Sequence, residues 1–135
     1  MTNKIYISFP VKDLKKSMNY FEQLGYTFDP KFKSEDTACM PLNEHTFTML
    51  LTHKKWSEFT QKPIADAAKT NEVALNTSLN SKAEVDAMIE KGLKAGGKEP
   101  RETEDYEFMY SRALEDPDGH TWEYFYMDMS KAPQS

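Results

Sequence analysis

The stretch IYISFPVKDLKKSMNYFEQLG, residues 5–25, carries two periodicities in succession. Ile5, Ile7, Phe9 and Val11 alternate with Tyr6, Ser8 and Pro10, the period of a strand covered on one face. From Leu14 the spacing changes. Leu14, Met18, Phe21 and Leu24 recur every three or four residues and form the apolar stripe of a helix. Asp13 is placed to cap that helix and Gly25 to end it. The same order then returns. EVALNTSL (72–79) reads as a strand, and Ser81 with Glu84 has the form of a capping box. The helix behind it carries Val85, Met88, Ile89 and Leu93 and ends near Gly96-Gly97.

Strand-like runs near 26–30, 36–41 and 45–52 follow the first helix. Runs near 97–101, 107–115 and 120–127 follow the second, with Asp116-Pro117-Asp118-Gly119 as a tight turn before the last. RETEDYE (101–107) reads as a solvated loop, and HKKWSEFTQKP onward to Thr70 as a polar connector with a short helix. The expected fold is α+β: two βαβββ modules, about 4–53 and 71–127, joined by a connector of about 54–70. Together they make one domain, 1–135, whose curved mixed sheets surround a cavity.

Composition narrows the function classes. The formal net charge is −5, which argues against nucleic acid as a partner and is mildly compatible with a cationic ligand. The single Cys39 forms no intramolecular disulfide, which suits a reducing compartment. The opening MTNKIYISFPVKDLKK is too polar for a signal peptide, and no apolar run approaches the roughly 20 residues a bilayer requires. The reading is a cytoplasmic protein with no membrane partner.

A helix that follows a strand packs back on one face of its sheet. The apolar face of the first strand is expected to meet its helix, which leaves Tyr6 and Ser8 on the other side. In the repeat, Val73 and Leu75 turn to the helix, and Glu72 and Asn76 away from it. The last strands add Thr48 and Leu50, then Glu123 and Phe125, on the faces expected to look away from the helices. Tyr6, Ser8, Thr48, Leu50, Glu72, Asn76, Glu123 and Phe125 are therefore the expected cavity lining, a mixed polar and aromatic one. Glu123 shares its face with Phe125 and Met127, so its carboxylate must be paired, protonated, at the edge or functional. His120 and Glu123 are an odd number of positions apart on a strand and point to opposite sides, so they do not form a metal pair. Trp56 and Phe59 either lid a pocket or pack on a second subunit.

PVKDLKKSMNYFEQLGYTF (10–28) resembles the first-module signature of the vicinal oxygen chelate superfamily, and DPDGHTWEYF (116–125) its closing turn and last strand. This group includes glyoxalase I, extradiol dioxygenases and the fosfomycin- and bleomycin-resistance proteins. The resemblance implies the glyoxalase/bleomycin resistance/dihydroxybiphenyl dioxygenase fold over essentially the whole chain. It implies metal-ligand positions at Tyr6, Leu50, Glu72 and Glu123, although leucine does not coordinate and a neutral phenol is a poor ligand. Glu72 and Glu123 remain the weak metal candidates, and the expected cofactor is none, a divalent metal being the less favoured case. The expected function is binding of a small organic molecule by a homodimer. Two alternatives stay open: a glyoxalase-like lyase or other proton-transfer enzyme with Glu123 as its catalytic carboxylate, and a non-catalytic regulatory or structural dimer.

Overall fold

The computed structural model describes residues 3–131, and the chain divides into two compact units at residues 66 and 67. In the first unit, strand β1 (Ile5–Val11) leads into helix α1 (Leu14–Gln23). Strands β2 (Thr37–Pro41) and β3 (Thr46–Thr52) follow, then the one-turn helix α2 (His53–Trp56). The sheet order is β1-β3-β2, with β1 parallel and β2 antiparallel to the central β3. In the second unit, β4 (Ala74–Ser78) precedes helix α3 (Lys82–Lys94). Strands β5 (Glu104–Asp105), β6 (Met109–Glu115) and β7 (Thr121–Met127) then give a sheet of order β4-β7-β6-β5. These are two mixed, open sheets in an α+β chain, as expected.

The helix caps lie where the residue types put them. Asp13 accepts from Lys16 N at 3.1 Å, and Ser81 from Glu84 N at 3.1 Å. Glu84 reaches back to Asn80 N at 2.6 Å, one residue outside the usual capping-box partner. Both helices end on a glycine with positive φ, Gly25 at 104° and Gly96 at 100°, a conformation that a Cβ would disfavour.

Two of the short strand assignments need correction. The run near 26–30 is not a strand. Pro30 has no N–H to give a ladder, and Asp29 instead caps a 3-10 turn at Pro30–Phe32 through Lys31 N at 2.9 Å. The run near 97–101 contributes only a bridge between Lys98 and Glu115, because Pro100 stops further pairing. The paired segment lies later, at Glu104–Asp105, inside the stretch expected to be a solvated loop.

Each unit has its own core. In the first, α1 turns Leu14, Met18 and Phe21 onto a sheet face made by Phe9, Val11, Ala38, Met40, Thr48 and Leu50, all buried. In the second, Val85 and Ile89 of α3 meet Leu114, Trp122 and Tyr124. Full burial of an aliphatic or aromatic side chain of this kind stabilises by about 1.5–3 kcal/mol. Helix α3 approaches β6 so closely that a Cβ on Gly92 would collide with Leu114 Cδ1, so glycine sets that spacing. Cys39, on edge strand β2, is buried, and burial raises its thiol pKa.

Thr48 is the exception in the first core. Its side chain is fully buried, and its hydroxyl has no hydrogen-bond partner among the described residues. A buried hydroxyl without a partner is a net cost. Thr48→Val is therefore expected to raise stability by about 1 kcal/mol, read as a higher urea midpoint with unchanged slope. A lower midpoint would show that the hydroxyl is satisfied.

Candidate functional site

In the first unit the site is built on the sheet face that α1 leaves open. The parallel register sets Ser8 beside Met49, and the antiparallel register sets Thr37 beside Leu51. These four side chains share one face because directly paired residues point the same way. Tyr6, half-exposed, stacks on Phe47 at the edge of this face, with centroids 4.9 Å apart and Lys4 Nζ 5.5 Å from the Phe47 centroid.

Register also corrects an expectation. Thr48 pairs with Ile7 and Leu50 with Phe9, so both belong to the α1 side and are fully buried. They do not share a face with Tyr6 and Ser8. TFTMLLT carries Phe47, Met49 and Leu51 on one side and Thr46, Thr48, Leu50 and Thr52 on the other, so alternation separates two faces but gives no sign that the threonine-rich one meets the helix; the pairing with β1 decides.

Over the open face runs the segment after β3. Thr52 caps α2, accepting from Lys55 N at 3.2 Å, while its hydroxyl donates to Asp36 at 2.9 Å. This fixes the direction in which α2 leaves the sheet and places Lys55, Trp56, Phe59 and Thr60 above Ser8, Thr37, Met49 and Leu51. Between the two layers lies a cavity of about 390 Å³, within the range of small-molecule pockets. Its surface is largely apolar, with Lys55 the one charged residue in its lining among the described residues. Trp56 and Phe59 are thus pocket-wall residues here. The sequence left them between lidding a pocket and packing on a second subunit; Met49 and Leu51 were missed because the register turned the other face of β3 to the helix, and Lys55 because it lies in a segment that reads as a polar connector.

In the second unit, the face away from α3 carries Asn76 and Glu123 as direct partners, with Phe125 beside Ser78 and Ser111. Glu72 stands before β4 in an exposed bend and belongs to no strand. The Glu123 side chain is 24% exposed, and its Oε1 accepts from Arg101 Nη2 at 3.3 Å. The same guanidinium donates to Ser111 Oγ at 2.9 Å and lies 3.8 Å from Glu104 Oε1. The acid on the apolar face is therefore paired. Arg101 was overlooked because it lies in a run of acidic residues that reads as solvent-facing, and its reach across β6 to β7 exists only in the folded sheet.

The residues at the implied ligand positions do not suit a divalent metal. Glu123 is held by a guanidinium, and Leu50 lies in the α1 core. The open face of β3 carries Phe47, Met49 and Leu51, none of which suits a hard cation. No group of three His, Cys, Asp or Glu side chains is placed to hold a metal among the described residues.

The sequence profile described as "Glyoxalase/Bleomycin resistance protein/Dioxygenase superfamily" matches residues 5–124. Among solved structures, a hypothetical protein from S. aureus superposes with a TM-score of 0.79 at 23% identity, over 93% of this chain and 95% of that one. A glyoxalase/bleomycin resistance protein/dioxygenase family enzyme from Burkholderia phytofirmans PsJN gives 0.77 at 16% identity, covering 93% and 99%. The fosfomycin resistance protein FosX from Mesorhizobium loti gives 0.66 at 13% identity, covering 97% and 94%. At these identities the likeness is one of fold. No curated protein matches the chain.

Proposed function

The chain belongs to the glyoxalase/bleomycin resistance protein/dioxygenase superfamily, and from that premise we propose that it binds a small organic molecule, without a metal, in the apolar pocket of its first unit. The observation that carries the reading is the cavity of about 390 Å³ roofed by Trp56 and Phe59 over Met49 and Leu51. Apolar walls with a few polar points are what a small-molecule site requires. The pairing of Glu123 with Arg101 favours a metal-free protein, since the carboxylate already has its cation. The protein acts as a cytoplasmic homodimer. Edge strand β1, which leaves Ile5 and Tyr6 half-exposed, supports association with a second copy.

The test is calorimetric titration with 2-naphthamide, a neutral apolar probe. Binding is expected, and Trp56→Ala is expected to weaken it about tenfold, the loss of roughly 1.4 kcal/mol of aromatic contact. No binding to the intact protein would end the pocket reading. Sedimentation of the untagged protein tests the dimer: a monomer at all concentrations would remove it. Proton transfer by Glu123 stays the second reading, because its Oε2 has no hydrogen-bond partner among the described residues and its side chain is partly open to solvent.

A further inference from the structure

The first-unit pocket has a charge pattern that selects among ligands, and resting on the reading just given, we infer that its ligand is an apolar, flat-bodied molecule carrying an anionic group such as a carboxylate. The body is set by Met49, Leu51, Trp56 and Phe59, which present aromatic and thioether surface and no charge. The anionic group is set by Lys55, whose ammonium is the only charge in the lining among the described residues.

Three observations favour an anion over the cation that the net charge of −5 suggests. First, Lys55 Nζ lies 5.6 Å from the Phe59 ring centroid, so the ring face that would attract a ligand cation is already taken by the protein's own. A second cation there would be repelled. Second, the counter-charge available to Lys55 is weak. Glu58 Oε1 stands 3.6 Å away in a pair whose carboxylate side chain is 54% exposed, and pairs of that kind contribute little and yield readily. Third, the hydroxyls of Ser8 and Thr37 belong to the lining. Two O–H donors and an ammonium around an apolar slot form an acceptor-binding set. Net charge acts over the whole surface and is screened within about 8–10 Å at ordinary salt, whereas Lys55 acts at contact distance.

The test uses three probes with one body: 2-naphthoate, 2-naphthamide and 2-naphthylmethylammonium, each titrated calorimetrically into the intact protein and into Lys55→Met. In the intact protein the naphthoate is expected to bind at least tenfold tighter than the amide, with the ammonium probe weakest. In Lys55→Met the naphthoate and the amide are expected to bind within twofold of each other. Lys55→Arg keeps the charge and should keep the naphthoate preference. Equal binding of naphthoate and amide to the intact protein, or a preference that survives Lys55→Met, would overturn the anionic assignment while binding of the amide left the pocket standing. Failure of all three probes to bind would remove the pocket reading and this inference with it.

Discussion

Replacing Asp116 with alanine is expected to destabilise the protein by about 3–5 kcal/mol, more than any other single polar truncation in the chain. Asp116 is only 6% exposed, yet it accepts three hydrogen bonds. Its Oδ1 takes Asp118 N at 2.9 Å and His120 N at 3.0 Å, and its Oδ2 takes Trp122 Nε1 at 3.1 Å. Two of these hold the turn that starts β7, and the third orients the indole, 1% exposed, that packs under α3. Alanine would take that acceptor from all three donors at once in a buried place, and each lost bond there costs about 1–3 kcal/mol. Urea unfolding followed by Trp122 emission checks the size of the effect. A loss under 1 kcal/mol would mean that the donors find other acceptors without rearrangement.

The same residue sets part of the pH response. Burial pushes the Asp116 carboxyl above the usual range, against the opposing pull of His120 and of the three N–H donors. A raised folded-state value means that the folded form holds its proton when the unfolded form has released it. From this group alone, stability is greatest below the unfolded value of about 3.9 and declines as pH rises through the folded value. Asp116→Asn, which keeps one acceptor oxygen and carries no charge, should flatten that part of the stability profile. A mutant profile parallel to that of the native protein would remove the assignment.

The second large effect is expected at Arg112, on β6. Its Nε and Nη2 hold Glu99 in a bidentate pair at 2.8 and 2.9 Å, and its Nη1 donates to Asp86 of α3 at 2.8 Å. Tyr110 donates to the same Asp86 oxygen at 2.6 Å. The arginine side chain is 14% exposed, so this network ties the helix and the segment after it to the sheet in a largely desolvated place. Arg112→Met is expected to cost about 2–3 kcal/mol, below the full figure for a buried pair because Asp86 remains half-exposed. Arg112→Lys should recover less than half of that, since an ammonium cannot form the fork. The bonds from Tyr110 and Arg112 hold the Asp86 carboxyl below its usual value. Its contribution is therefore present above about pH 3.9 and is lost as pH falls through the depressed folded value. Unchanged urea midpoints in Arg112→Met would show the network to be energetically idle.

The two helices with their caps and glycine ends, the strand before each, and the last strands with the DPDG turn were legible in the sequence. All of these are local, encoded in period and in residue types that act within a few positions. So was the short strand β2, expected near 36–41, but two other short assignments were not. Whether 26–30 or 104–105 pairs depends on a neighbour distant in sequence, and proline at 30 and at 100 removes the donor that a pattern of apolar residues cannot reveal.

The candidate sites divide in the same way. Sequence alone determined that Glu123 and Phe125 share a face, because period-two alternation within one strand needs no partner, and that Trp56 and Phe59 belong to the segment after β3; the β4–β7 register then set Asn76 beside Glu123. Tertiary structure alone decided that Met49 and Leu51, not Thr48 and Leu50, face the pocket, since only the register against β1 turns the threonine-rich side of TFTMLLT into the core. It alone brought Arg101 to Glu123, across a strand and some twenty residues of chain, and Lys55 over the open sheet face. A long charged side chain leaves no periodic mark, and its partner is chosen by the geometry that packing imposes.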